Sequence, residues 1–289
     1  FNKMKENEIK INEIVNEIFN ISLDINVPDE KITLNKIDLH ECMKTFISYV
    51  VGCLFGRYSL DDEGLVFAGG DFDLGVYSCF VPDEDNIVPV LDSEYFDDDV
   101  VGRFVEFVKV AFGEESLEEN LDFIAGALKN KGSTSREVIR SYFLNDFFKD
   151  HVKMYKKCPI YWLFDSGKEN GFKCLVYMHR YSPDLVARVR TDYLHKTQKA
   201  IESQISYEQN IKENSGNSKD QARADKRIKK LTKQLDETRR YDEALAHVAS
   251  QNISIDLDDG VKVNYAKFQN VEVSKEGQKV KKINLLKKI

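Results

Sequence analysis

From Ser182 to Ser250 the chain reads as helix with a single break, and a run of that length leaves little choice of local architecture. Ser182-Pro183-Asp184 is a helix start: a hydroxyl able to cap, a proline whose missing N–H is not needed in the first turn, and an acid at the positive end of the dipole. The spacing predicts helix to about residue 213, where Asn214-Ser215-Gly216-Asn217-Ser218 breaks it. A second helix, about 219–250, carries Ile228, Leu231, Leu235, Thr238, Leu245 and Val248, mostly three or four apart with charged residues between. Two such helices joined by a short polar loop fold back as a long antiparallel hairpin, expected to project from the body.

The stretch 158–181 has a different character. Ile160-Tyr161-Trp162-Leu163-Phe164 and Phe172–Tyr181 are β-favouring runs around a turn from Asp165 to Gly171, and they predict a β-hairpin within a larger sheet. It holds the single tryptophan and a dense aromatic cluster, so most of it should be core. Helical spacing also marks 3–20, 38–56 with Asp38 as cap, 97–111 opened by Asp97-Asp98-Asp99, 116–129 and 134–150. Residues 65–95 are irregular, and Pro82, Asp83 and Pro89 predict a surface loop there. The tail at 253–273 alternates again around an Asp258-Asp259-Gly260 turn, and the basic end Lys279–Ile289 is expected on a surface. The fold class is therefore α+β and mostly helical, with a small sheet containing the β-hairpin, helices packed on it, and the helical hairpin near the C-terminus.

Charge divides the chain more sharply than its net value of −7 suggests. Residues 1–130 hold 10 basic and 28 acidic side chains, and residues 131–289 hold 32 and 21. We expect an acidic, helix-rich domain over 1–150. A basic part over 151–289 would contain the β-hairpin, the helical hairpin at about 182–250, and the tail. A polyanion would be repelled by the first and attracted to the second. A solvated, lysine-rich helix would give the same count.

The five cysteines, Cys42, Cys53, Cys79, Cys158 and Cys174, are scattered without a C-x-x-C pair, and read as reduced, mostly buried thiols of a cytoplasmic protein. No stretch approaches the roughly 18 apolar residues of a membrane span, so no membrane partner is expected. No basic-then-apolar leader opens the chain. It begins at Phe1 rather than Met, which points to an excised piece or an unseen start.

Catalytic motifs are hard to find. Ala68-Gly69-Gly70-Asp71-Phe72-Asp73-Leu74-Gly75 lacks the G-x-G-x-x-G order of a dinucleotide cradle, and Asp71 and Asp73 read as an acidic turn before a metal pair. No P-loop, H-E-x-x-H or G-x-S-x-G occurs. For nucleic acid the signal is better. Lys153, Lys156, Lys157, Lys168, Lys173, Arg180, Arg188, Arg190 and Lys196 are interleaved with Tyr155, Tyr161, Tyr177, Tyr181 and Tyr193. The candidate contacts are Lys156, Lys157, Lys168, His179, Arg180, Arg188 and Arg190, with Arg188 and Lys196 eight apart on roughly one helix face. A pairing of Arg180 with Asp184 or Asp192 is the competing reading for that residue.

Three stretches are more specific than any general motif. They are Tyr49–Leu60 (YVVGCLFGRYSL) with Gly64-Leu65 and Ala68-Gly69-Gly70; Pro159–Lys168 (PIYWLFDSGK) with Gly171-Phe172; and Tyr177–Tyr181 (YMHRY) with Ala187–Leu194 (ARVRTDYL). With Asp256–Tyr265 (DLDDGVKVNY), they resemble the C-terminal region of PglX, the adenine-specific DNA methyltransferase family of BREX phage defence. The resemblance implies a longer parent whose upstream domain binds S-adenosylmethionine and carries an Asn-Pro-Pro-Tyr type motif at a flipped adenine. No Asn-Pro-Pro occurs here, so no catalytic or cofactor-binding residue is expected in this chain. The partners it implies are duplex DNA and the upstream methyltransferase domain. The alternative is an interaction scaffold docking other BREX proteins or the catalytic domain, without touching DNA.

Overall fold

The computed structural model describes residues 2–22, 24–28, 38–273 and 281–289. Contacts group the chain into a unit of residues 1–45 and a second of residues 46–289. In the first, α1 (Asn2–Phe19) forms where the helical spacing places it, yet no side chain of it is buried. Helix α2 (Leu39–Leu54) starts in this unit, where the Asp38 carboxylate accepts from the His40 amide at 3.0 Å. Its second half belongs to the other unit.

The second unit is organised by a three-stranded antiparallel sheet of β1 (Val88–Pro89), β2 (Tyr161–Asp165) and β3 (Lys173–Tyr177) in the order β1-β3-β2. The predicted hairpin is β2 and β3, in a register that sets Leu163 opposite Leu175 and Tyr161 opposite Tyr177. Every residue of both strands is buried, which is why they read as continuous rather than alternating runs. One face carries Tyr161 and Tyr177, against which the Phe55 ring lies at 5.5 and 6.3 Å. On the other face Trp162 meets Tyr265 and Phe268, each at 5.6 Å.

Two expectations fail at the sheet edges. The segment around Pro82, Asp83 and Pro89 is not a surface loop: Ile87, Val88, Val90 and Leu91 are at most 2% exposed. Pro89 can sit in β1 because β1 is an edge strand, hydrogen-bonded on one side only. The basic end is only partly on the surface. Leu285 and Leu286 are buried, Leu286 bridges to Phe164, and the Lys287 amide donates to the Leu163 carbonyl at 2.8 Å. These apolar residues extend the sheet beyond β2, while the lysines beside them stay outside.

Around the sheet stand α3 (Val100–Phe112), α4 (Leu117–Leu128), α5 (Ser135–Asn145) and α6 (Phe147–Met154). Asp99 caps α3 by accepting from the Val101 amide at 3.0 Å, and its carboxylate also receives both Arg140 terminal nitrogens at 2.8 Å. The single helix predicted over 134–150 is broken at Asp146. That residue ends α5 and starts α6, and its carboxylate accepts from Asn130 at 2.8 Å.

The helical hairpin forms as predicted, with an interruption and a later start: its first helix begins at Leu185, after Asp184, and Ser182 does not cap it. Helix α7 (Leu185–Arg188) passes through a π-helical turn at Val189–Leu194 into α8 (His195–Asn214), and α9 (Ser218–Ala249) returns. Ile201, Leu231 and Leu235 form the seam, flanked by ion pairs between Lys212 and Asp225 at 2.6 Å and Arg239 and Glu202 at 2.8 Å. Its root does not project. Tyr241, Ala244, Leu245 and Val248 of α9 are buried, and the Tyr241 hydroxyl donates to the Leu285 carbonyl at 2.6 Å.

The alternation at 253–273 does not give one extended run. A 3-10 turn at Leu257–Asp259 leads into α10 (Gly260–Ala266), and only β4 (Val271–Val273) is extended, pairing with β5 (Lys281–Ile283). Buried Asn264 explains the helix, since its amide donates to the Gly260 carbonyl at 3.0 Å and its side-chain oxygen accepts from the Asp256 amide. All five cysteines are free thiols, but only Cys53 and Cys174 are buried. No helix among the described residues is long and apolar enough to cross a membrane.

Candidate nucleic-acid interface

The sequence candidates separate into two groups by what their side chains touch. Arg180 is a brace inside the fold. Its guanidinium donates to the carbonyls of Asp83 and Glu84, both at 2.8 Å, and lies 3.6 Å over the Phe72 ring. Burial pushes its pKa down to about 10. It pairs with neither Asp184 nor Asp192. Arg188 takes Asp184 instead, Nε lying 3.1 Å from the carboxylate, close enough for an ion pair but not aligned as a hydrogen bond. Arg190 binds Asp242 through Nε at 2.7 Å and Nη2 at 3.3 Å, and Asp242 is shared with His195 at 2.9 Å. The π-helical turn changes the helical register between Arg188 and Lys196, so a spacing of eight no longer implies one face. His179 is half-buried, its pKa lowered first by burial and then by the charge of Arg57.

Lys156, Lys157 and Lys168 form the second group. Lys156 and Lys157 follow α6 in the left-handed region, at φ of 50° and 64°, which turns the chain and leaves both side chains exposed. Lys168 tips the β2–β3 turn with its side chain 89% exposed, 3.6 Å from Glu169. The turn is shaped by α9. The Glu237 carboxylate accepts from Ser166 Oγ at 2.8 Å and from the Glu169 and Gly171 amides at 2.9 and 3.1 Å.

Lys168 opens onto a hollow of about 450 Å³ lined also by Lys149, Lys173, Lys287 and Lys288, with Phe143, Phe148, Val152 and Leu163 among its apolar residues. Lys173 is 3% exposed, and its ammonium donates to the Leu144 carbonyl at 2.9 Å. Burial lowers its pKa. Lys287 pairs with Asp165 at 2.6 Å and Lys149 with Asp146 at 3.2 Å. A second hollow, of about 380 Å³, is lined by Lys157, Lys262, Tyr265, Gln269 and Asn270, and shares Ile289 with the first. Neither lining contains an aspartate or glutamate.

The structure therefore places Lys157 and Lys168 in two hollows that share Ile289, and leaves Lys156, His179, Arg180, Arg188 and Arg190 out of both. Sequence reasoning missed Lys149, Lys262, Lys287 and Lys288 as candidates. The basic end of the chain was a signal for the last two.

The sheet is antiparallel throughout, and the glycine-rich segment at 68–75 leads only into a three-residue 3-10 turn, Leu74–Val76, capped by Asp73. Among the described residues no three His, Cys, Asp or Glu side chains converge as metal ligands.

No family model matches the chain. It is 44% identical over 274 residues to the adenine-specific methyltransferase PglX of Lacticaseibacillus casei (strain Zhang), a match covering 93% of this chain and 23% of that protein. It is also 44% identical over 292 residues to the adenine-specific methyltransferase BrxX of Escherichia coli O9:H4 (strain HS), covering 90% of this chain and 24% of that protein. The chain thus matches PglX and BrxX adenine-specific methyltransferases over nearly all of its own length, and spans about a quarter of theirs.

Proposed function

We propose that the chain is a DNA-holding part of an adenine-specific methyltransferase of BREX phage defence, working beside a domain outside these residues that binds S-adenosylmethionine and transfers the methyl group. The supporting observation is the pair of adjoining hollows lined by seven lysines and no acid. Lysine is a point charge without the planar fork that reads base edges. This face would hold the phosphate backbone and set the register of the duplex, leaving base reading elsewhere.

The test is binding of the chain to a fluorescent duplex of about 30 base pairs at several salt concentrations. Affinity should fall linearly in log salt. Replacing Lys157, Lys168, Lys262 and Lys288 by Gln should lower that slope by about 0.9 for each phosphate no longer neutralised. Lys109→Gln, in the acidic part, should leave it unchanged. Absence of binding at about 50 mM salt would overturn the proposal.

A scaffold role has one observation in its favour. Val110, Phe112 and Phe123 of α3 and α4 are 44–56% exposed on the acidic side of the chain. The helical hairpin does not add to it, because over 182–250 the one strongly exposed large apolar residue among the described residues is Tyr207.

A further inference from the structure

Three segments far apart in sequence meet around Arg57: the turn after α2, the start of β2, and the end of β3. Arg57 is half-buried, yet its partners are phenols. Nη1 donates to the Tyr177 hydroxyl at 2.9 Å and Nε to the Tyr58 hydroxyl at 3.3 Å. The Tyr177 hydroxyl in turn donates to the Phe67 carbonyl at 3.0 Å. Burial works against the Arg57 charge, but the hydrogen bonds to the neutral phenols of Tyr58 and Tyr177 outweigh it and its pKa is raised; among the described residues no carboxylate pairs with it. A cation withdrawn from water without a counterion is costly, and an anion is the usual remedy.

The buried groups beside it also lack acceptors. His151 is 1% exposed, and its Nε2 accepts from the Tyr161 amide at 3.1 Å. That bond requires a lone pair on Nε2, which places the proton of the neutral ring on Nδ1. Nδ1 has no partner. Burial, helped by the Arg57 charge, drives the His151 pKa down to about 3, so the ring stays neutral. The Tyr161 hydroxyl is fully buried and also without a partner, as is Nδ1 of His179. These groups adjoin one another: the Tyr161 ring is 4.8 Å from His151 and 5.4 Å from Tyr177, and Tyr177 is 4.9 Å from His179. Gly52 lets them close up. A Cβ there would strike the Tyr58 ring and stand 3.2 Å from the Tyr161 hydroxyl.

We infer that this cluster is an oxyanion site that takes a phosphate group, with Arg57 supplying the charge and the Tyr161 hydroxyl and His151 Nδ1–H supplying donors. A phosphate offers several acceptor oxygens and a negative charge, the two things the cluster lacks. The inference does not depend on the lysine face, since none of these residues lines either hollow.

The test uses the whole chain and three probes: inorganic phosphate, a 5′-mononucleotide, and the duplex of about 30 base pairs. Phosphate or mononucleotide should raise the melting temperature where chloride at equal ionic strength does not, because a ligand bound only to the native state stabilises it. Arg57→Gln should weaken that binding at least tenfold, and Tyr161→Phe, which removes one hydroxyl without changing shape, several-fold. Lys168→Gln should leave it intact. If neither small probe binds but Arg57→Gln lowers the salt slope for duplex binding by about one phosphate, the phosphate belongs to DNA. If the small probes bind and Arg57→Gln leaves duplex binding unchanged, the ligand is a free phosphate compound. Should the folded Arg57→Gln and Tyr161→Phe variants match the parent in every arm, the inference is overturned, and the unpaired donors belong to buried water.

Discussion

Asp83 and Asp85 stand close together in the turn before β1, and their proximity has a pH signature. Asp83 is 8% exposed, and burial, then repulsion from Asp85, pushes its pKa up to about 7. The native chain thus holds a proton that the unfolded chain releases near its ordinary value. The contribution of Asp83 to stability should be fullest below about pH 4, fall as pH rises towards 7, and level off above. Asp83→Asn keeps an oxygen for the Ile87 amide, which now donates to the carboxylate at 3.0 Å. We predict that this variant flattens the pH dependence between 4 and 7 and is about 1–3 kcal/mol more stable than the parent at pH 8. Denaturant melts at four pH values would check it, and an unchanged slope would show that Asp83 is not the titrating group. The same scale decides the arginines. Arg180 and Arg190 resemble DNA contacts in sequence, where only their charge is visible. In the fold their donors are taken by carbonyls and by Asp242.

Among the elements, α9 governs the β2–β3 turn. Glu237 receives three hydrogen bonds from that turn, and Gly171 is needed because a Cβ would come within 2.7 Å of the Gln234 carbonyl. Glu237→Ala leaves the Glu169 and Gly171 amides without their acceptor, at a cost of about 2–4 kcal/mol in chemical denaturation. Because Lys168 stands on the same turn, duplex affinity should fall as well. Loss of stability with full retention of DNA binding would separate the turn from the interface. Much at this scale is legible in the sequence. Asp38, Asp99, Thr134 and Asn217 each cap the helix they precede, through side-chain bonds to amides two or three residues on. The break at Asp146 is not legible, because Phe147 and Phe148 continue an apolar pattern that suits an unbroken helix equally well.

For the molecule as a whole, the charge boundary near residue 130 is not a packing boundary. Strand β1, from the acidic stretch, pairs with β3 from the basic one, with Val88 opposite Leu175. Phe55, before the boundary, lies against Tyr161 and Tyr177 beyond it. A fragment of residues 151–289 would therefore expose one face and one edge of the sheet. We predict that it does not fold alone: its Trp162 fluorescence should resemble that of the denatured chain, and its circular dichroism should show no cooperative melt. A sharp thermal transition in that fragment would contradict this.

What the sequence by itself determined is what local chemistry controls. Caps, breaks and apolar spacing set most helices, the β-hairpin and the helical hairpin, because each depends on residues within a few turns of one another. The polarity of charge along the chain belongs to the same class. Only the tertiary structure decided which residues join the sheet from a distance. Val88-Pro89 and Leu285-Leu286 do so because open edges and the faces of Tyr161 and Trp162 needed cover. It also decided which cations remain free, since a pairing such as Arg190 with Asp242 spans 52 residues and leaves no local trace. Except for Lys173, whose buried ammonium donates to the Leu144 carbonyl, the lysines of the two hollows stay at the surface for the complementary reason: their apolar neighbours are drawn into the core, and burying an ammonium beside them would cost more than it gains.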